Sequence, residues 1–268
     1  MQLRLLGTGG ADGIPALYSS TRVSQYARQH RGKDIRTRSA AVLDDAIKID
    51  FGPDTWSQLA REGLDARDWT AVIFTHSDSD HFAIEELQYA LYPFNECEYA
   101  GFQIYGNAVI CRAIMERYPN WPFEVVMTHN FVPFTHCNYE ITPVRPRHKE
   151  SEEAHNFLIE SEGRRILYAT DTGVYPEETF DFLAGRRLDI LVIECSEGFV
   201  HTPYNGHLDI KDLVLVLERL AGQGTVDSQT QIVTTHHSHN GEGTHHELEQ
   251  ALNPHGVQIG FDGLVLEI

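Results

Sequence analysis

Four short apolar runs in this chain end directly on polar, ligand-type residues: Phe74-Thr75-His76, Tyr168-Ala169-Thr170-Asp171, Ile193-Glu194-Cys195 and Val233-Thr234-Thr235-His236. Runs of that length and composition read as strands. In α/β folds, ligands and catalytic groups gather where strands end, because a rigid strand holds the residues that follow it in a fixed position. Four ends of one kind therefore point to one shared site.

The rest of the chain has to supply the cover. Further strands are expected at Leu3–Leu6, Ala40–Leu43, Ala46–Phe51, Ala71–Phe74, Phe102–Tyr105, Tyr139–Val144, Phe157–Ser161, Arg165–Ala169, Ile190–Glu194, Gln231–Thr234 and Leu264–Ile268. A tight Asp44-Asp45 turn joins the second and third of these. Helical patterns fall at Thr55–Glu62, Ile84–Tyr92, Ala108–Tyr118, Glu177–Leu183, Ile210–Leu220 and His246–Leu252. In Lys211–Leu220 the apolar positions Leu213, Val214, Val216, Leu217 and Leu220 mark one buried face. Strands interleaved with helices argue for two mixed sheets covered by helices, an α/β layered architecture. No low-complexity tract or Pro/Ser-rich linker divides residues 1–268, so a single domain is expected. Hydrophobic residues at 41% and charged residues at 22% are those of an ordinary globular protein, long enough to bury a sizeable core.

Charge narrows the partners. With 21 Lys+Arg against 39 Asp+Glu the formal net charge is −18, which argues against a general nucleic-acid or anionic-membrane binder. Cys97, Cys111, Cys137 and Cys195 are widely spaced, with no C-x-x-C, so neither a disulfide framework nor a zinc ribbon is indicated. The first residues are too quickly interrupted by glycine for a signal peptide, and no run of about 18 apolar residues occurs. A cytoplasmic location is the expectation.

The 15 histidines are the unusual count. Two of them sit with two carboxylates in Thr75-His76-Ser77-Asp78-Ser79-Asp80-His81, between an apolar strand and an expected helix. Alternation places His76, Asp78 and Asp80 on one side, and the turn that follows can swing His81 towards them. The plain alternative is a polar loop in which Ser79 or Asp80 caps the next helix. The other strand ends favour metal binding, since imidazole and carboxylate are the usual ligands of first-row divalent ions.

His-x-His-x-Asp-His after a strand resembles the signature of the metallo-β-lactamase superfamily of binuclear metal hydrolases. Within it the chain is similar to the phosphoribosyl cyclic phosphate phosphodiesterase (PhnP-like) branch. The matching stretches run through the chain in order: Leu6-Gly7-Thr8-Gly9-Gly10-Ala11-Asp12-Gly13-Ile14-Pro15-Ala16, Ala169-Thr170-Asp171-Thr172-Gly173, Glu194-Cys195-Ser196, Gly206-His207-Leu208-Asp209, Thr235-His236-His237-Ser238-His239 and Gly260-Phe261-Asp262-Gly263. The resemblance implies a four-layer αββα sandwich with a metal pair at one edge. It implies a first metal held by His76, Asp78, His148 and Asp171, and a second held by Asp80, His81, Asp171 and His236. His155 competes with His148 for its place. His207 matches the position of a histidine near the substrate. The implied cofactors are two divalent ions, Mn²⁺ or Zn²⁺, with Fe²⁺ also open.

Two departures from the family pattern matter. Asp78 stands where the family has a second motif histidine, which hardens the site towards Mn²⁺ or Fe²⁺ or, if Asp78 falls short of the metal, weakens the first position. Ser19, Thr21 and Ser24 stand where some relatives carry cysteines for an accessory zinc, which leaves His239 without that role.

The chemistry implied is attack by a metal-bridged hydroxide on a phosphodiester, a small cyclic phosphate being one candidate. Asp80 would orient the nucleophile, and His207 would protonate the leaving oxygen or bind the phosphate as imidazolium. Arg22, Arg28, Arg31, Lys33, Arg36 and Arg38 crowd one segment, and Arg145, Arg147 and Lys149 flank His148, offering an anion-binding rim if either folds beside the metals. The expected partner is thus a small anionic substrate, with no membrane and with nucleic acid disfavoured by the charge; a homodimer stays open. Two alternatives remain at this point: a tRNA-processing endonuclease of the same superfamily, and a degenerate metal-binding protein in which Asp78 marks a lost site.

Overall fold

The computed structural model describes residues 1–268. Its strands are β1 (Gln2–Gly7), β2 (Ala40–Leu43), β3 (Ile47–Ile49), β4 (Ala71–Ile73), β5 (Gln103–Gly106), β6 (Glu124–Met127), β7 (Phe134–His136), β8 (Tyr139–Val144), β9 (Asn156–Ser161), β10 (Arg164–Ala169), β11 (Ile190–Glu194), β12 (Gln231–Thr235), β13 (Val257–Ile259) and β14 (Val265–Glu267). They form two seven-stranded sheets, ordered β14-β1-β2-β3-β4-β5-β6 and β13-β12-β11-β10-β9-β8-β7. Both are mixed. The first is antiparallel from β14 to β3 and parallel from β3 to β6. The second is antiparallel from β7 to β10 and parallel from β10 to β13.

The helices are α1 (Arg22–His30), α2 (Thr55–Glu62), α3 (Ala108–Arg117), α4 (Glu177–Leu183), α5 (Ile210–Gly222) and α6 (His245–Leu252). Strand alternation sorts the side chains into layers. Ile190 and Val192 of β11 join Leu3, Ile49, Ile73, Phe157 and Tyr168 in a core shared by the two sheets. Leu191 and Ile193 point the other way, onto Phe180 and Leu183 of α4, Leu213, Val216 and Leu220 of α5, and Leu248 and Leu252 of α6. On the opposite outer face, Val72, Phe74 and Ile104 pack on Ile110 and Ile114 of α3. Each such side chain, once buried, contributes on the order of 1.5–3 kcal/mol, so the three layers of contact hold the sheets face to face. The result is the expected four-layer αββα sandwich. No helix is long and apolar enough to cross a membrane.

The Asp44-Asp45 hairpin turn has both central residues at positive φ, 47° and 54°, as a tight turn of that length demands. One element differs in type from the sequence expectation. Residues 84–92, expected as an α-helix, form a 3₁₀ segment over Ile84–Ala90 in which Leu87 alone is buried. One buried side chain in seven residues gives no apolar stripe to fix a longer α-helix.

Candidate metal centre

Five strand ends meet along one edge where the sheets abut, and each delivers one part of a cluster. β4 runs into Thr75-His76, and the chain then turns sharply, with the amides of His81 and Phe82 donating to Asp78 O at 2.9 and 2.8 Å. That turn folds His81 back beside His76, their ring centroids 4.4 Å apart. β8 leads to His148, β10 to Asp171 and β12 to His236, while β11 ends on Glu194. Asp171 and His236 follow their strands at φ 49° and 54°, in the left-handed region that non-glycine residues rarely occupy. Such backbone costs on the order of 1–3 kcal/mol per residue, and here it aims two side chains back over the sheet edge.

The seven residues expected to hold metal all converge. His81 Nε2 lies 3.1 Å from Asp80 Oδ2 and 3.1 Å from Asp171 Oδ2. His236 Nε2 lies 3.2 Å from Asp171 Oδ1 and 3.6 Å from Asp80 Oδ2. His76 Nε2 and His148 Nε2 are each 3.4 Å from Asp78 Oδ2, and His148 Nε2 is 3.9 Å from Asp171 Oδ1. Asp171 therefore stands between two ligand groups, one around His76 and His148, the other around Asp80, His81 and His236. His155 does not take part. Its ring is buried elsewhere, with Nδ1 beside Asn130 Oδ1 at 2.9 Å and Nε2 beside Thr128 Oγ1 at 3.0 Å.

What the other ring nitrogen does decides the chemistry. His81 Nδ1 donates to Asp50 Oδ2 at 2.7 Å, and His76 Nδ1 donates to Thr75 Oγ1 at 2.9 Å. Thr75 in turn donates from N and Oγ1 to Asp50 Oδ1 at 2.8 and 3.0 Å. His236 Nδ1 donates to Ser196 Oγ at 2.8 Å, and His148 Nδ1 to Gly206 O at 3.3 Å. Four acceptors thus fix four tautomers, assigned from the hydrogen-bond network, and leave four Nε2 lone pairs facing three carboxylates. The Nε2 atoms of His76, His81 and His236 are buried with no hydrogen-bond partner. Buried lone pairs set against buried carboxylates need a cation between them, and an imidazole–carboxylate donor set fits a divalent first-row ion.

The carboxylates and imidazoles shift one another strongly. Burial pushes the Asp80 and Asp171 carboxyls up, yet the facing His81 and His236 hold both well below the usual carboxylate range. Burial likewise lowers His81, but Asp80, Asp171 and Asp50 raise it well above an ordinary imidazole. The facing His148 and His76 rings, helped by Lys149, hold Asp78 well down.

His207 stands beside the cluster, its ring stacked on His236 with centroids 5.4 Å apart. Its Nδ1 donates to Glu194 Oε1 at 2.7 Å. Glu194 is fully buried and also accepts the backbone N–H groups of Thr172, Ser196 and Leu208 at 2.6, 3.1 and 3.2 Å. Burial lowers the His207 imidazole, but Glu194 outweighs it and raises the ring to about 9. A cleft of about 520 Å³ opens over His148, Asp171, His207 and His236, and a second of about 700 Å³ shares His148 and is lined by Arg145, Arg147 and Lys149.

The other basic segment serves the fold. Arg36 is buried and donates to Thr8 Oγ1 at 2.8 Å and Gly260 O at 2.6 Å. Arg38 pairs with Asp54, Arg22 with Glu247, and Arg28 binds the carbonyls of Ala16 and Ser19. The expected rim thus reduces to residues 145–149, where Arg145 pairs with Glu178 and Lys149 with Asp78 and Glu152, because Arg22, Arg28, Arg36 and Arg38 are spent on other groups of the fold. His239 lies between Ser19, Thr21 and Asp12, hydrogen-bonded to all three. Sequence reasoning missed Asp50, which orients His81, and the roles of two residues it had marked: Glu194, at a strand end, orients His207, and Lys149, in the basic segment, pairs with Asp78. Asp50 likewise follows an apolar strand, the signal that had marked the other site residues.

A family model described as a beta-lactamase superfamily domain matches residues 46–237. The chain belongs to the beta-lactamase superfamily. That superfamily is one of metal-dependent hydrolases. Among solved structures this superfamily member is similar to a diphosphatase from the PhnP family, at 24% identity over all of this chain and 97% of that one, with a TM-score of 0.75. It is similar to Zn²⁺-bound PqqB from Methylobacterium extorquens at 16% identity over the whole of both chains, TM-score 0.77. Human short-form tRNase Z matches at 19% identity over all of this chain and 99% of that one, TM-score 0.66. At these identities the likeness is one of fold. No curated protein sequence matches the chain.

Proposed function

We propose that this superfamily member is a binuclear metal-dependent phosphodiesterase acting on a small anionic substrate. The observation that carries the proposal is the set of four Nε2 lone pairs, each fixed by a bond at Nδ1, that converge with Asp78, Asp80 and Asp171. His76, Asp78, His148 and Asp171 would hold one divalent ion, and Asp80, His81, Asp171 and His236 the other. Such a pair supplies an activated water at neutral pH and polarises a phosphoryl oxygen. With three carboxylates in the set, Mn²⁺ or Fe²⁺ competes with Zn²⁺.

The chain's own groups do the rest. Asp80 has an oxygen at the floor of the cleft that can accept a hydrogen bond from the attacking water and orient it. His207, tied through Nδ1 to Glu194, which raises the ring, keeps Nε2 for the substrate. It can hold a phosphoryl oxygen or hand its proton to the leaving oxygen. Arg145 and Arg147 line the neighbouring cleft together with Glu150, Glu152, Glu153 and Glu178, so the preference for a phosphate rests on the metal ligands and His207 rather than on a cationic rim. The likeness to a PhnP-family diphosphatase supports a phosphorus-centred substrate.

The test is hydrolysis of bis(p-nitrophenyl) phosphate by the metal-loaded protein, with bound metal measured in parallel. Asp171→Ala and His81→Ala are each expected to lose at least about a thousand-fold in rate together with bound metal, since each removes a ligand rather than a supporting group. Full activity in both variants would remove the proposed centre.

A further inference from the structure

Asp78 differs from the other two aspartates of the cluster. Its side chain is 38% exposed, against 8% for Asp80 and 5% for Asp171. A carboxylate that far into solvent is free to rotate away from two imidazoles. That freedom is removed here. Oδ2 points at His76 Nε2 and His148 Nε2, 3.4 Å from each, while Oδ1 is bonded by Lys149 Nζ.

Lys149 is itself fixed. Its ammonium also reaches Glu152 Oε1 at 3.1 Å, and the Glu152 side chain is 1% exposed. Glu152 accepts from Ser77 Oγ at 2.7 Å, from Ser77 N at 3.2 Å and from Asn107 Nδ2 at 2.8 Å. The chain Glu152–Lys149–Asp78 therefore closes back on the 75–81 turn one residue before Asp78. Asp80 and Asp171 have no comparable cation among their ion-pair partners; theirs are imidazoles.

We infer that Lys149 is a positioning residue that holds Asp78 as a single-oxygen metal donor. One oxygen is taken by the ammonium, which Glu152 shares, and the other is left facing the place of the ion, which is what an imidazole there would offer. The inference rests on the metal-centre reading above and sharpens it: occupancy of the His76–His148 position depends on Lys149, while the Asp80–His81–His236 position does not.

The experiment compares wild type, Lys149→Met, Asp78→His and Asp78→His/Lys149→Met. Zn²⁺ and Mn²⁺ content is measured after equilibration in metal buffers, and affinity by competition with a chromophoric chelator. Lys149→Met is expected to weaken one of two ions on the order of 10–100-fold and leave the other unchanged. In the Asp78→His background the same substitution should change neither ion by more than about two-fold, because an imidazole has no second oxygen for Lys149 to anchor. Two tight ions in Lys149→Met would overturn the inference while leaving the metal centre standing, as would an equal loss in both backgrounds. Wild type that binds no ion would overturn the metal-centre reading itself. Lys149→Gln, whose amide can still donate to Asp78 Oδ1, separates anchoring from packing: affinity kept close to wild type supports the anchor, and a loss as large as in Lys149→Met overturns it. Circular dichroism of the metal-free proteins reports whether each variant is folded.

Discussion

Asp50 lies a full side chain away from anything a substrate would touch, yet two ligands depend on it. Its oxygens hold His81 directly and His76 through Thr75. The residue sits at φ 58°, and Lys48, buried on the far side of β3, donates from Nζ to the carbonyls of Ile49 and Asp50. Burial lowers that amine to about 7 against the pull of Asp50. Asp50→Asn would turn an acceptor into a donor facing either His81 Nδ1 or the Thr75 amide. Metal affinity should fall on the order of 10–100-fold with the fold retained, as read by chelator competition alongside circular dichroism. Affinity equal to wild type would show that His81 needs no such anchor. Six of the ligand residues were legible in the sequence because strand ends and the 75–81 spacing display them, and His148 entered through the family resemblance. Asp50 was not legible, nor were the roles of Glu194 and Lys149, since each acts on a residue 31, 13 or 71 positions away, and only the folded chain brings the two together.

At the scale of elements, the 75–81 turn owes its position to a close backbone crossing. A Cβ added to Gly52 would stand 2.0 Å from Asp80 O, a distance no neighbour can relieve without moving the ligand turn. Gly52→Ala should therefore cost about 1–3 kcal/mol in thermal unfolding and reduce metal affinity as well. A drop in melting temperature with unchanged metal affinity would mean that strain is absorbed on the β3 side instead. Legibility followed burial. The central strands, fully apolar or alternating, were visible, whereas the missed elements are α1, β6, β7 and β13. β6, β7 and β13 lie at sheet edges, and β6 is half-exposed along its length, so it carries no burial alternation to read. In α1 only Val23, Ser24 and Ala27 are buried, and its basic side chains suggested a loop.

Across the whole molecule, acid should act through buried histidines outside the metal cluster. Burial lowers His155 to about 4 between Thr128 and Asn130. The unfolded chain takes up that proton near pH 6.5, the folded one only near 4, so this contribution is complete above pH 6.5 and is lost as pH falls towards 4. Its size is about 3 kcal/mol. His155→Gln should flatten the decline of urea-unfolding stability between pH 6.5 and 4; a slope equal to wild type would assign the acid response elsewhere. The net charge of −18, by contrast, reveals little of the site, where three of the carboxylates face imidazoles and one also faces an ammonium. The pairing of β14 with β1 bears on how the molecule comes into being. β1 carries Leu3 and Leu5 into the shared core, and its outer edge is covered only when residues 265–267 arrive. During synthesis at about 5–20 residues per second, that edge stays open for on the order of ten seconds or more after β1 to β3 have emerged. An uncovered apolar edge strand is a template for joining other chains, so a newborn copy of this protein is open to such pairing until residues 265–267 have been made.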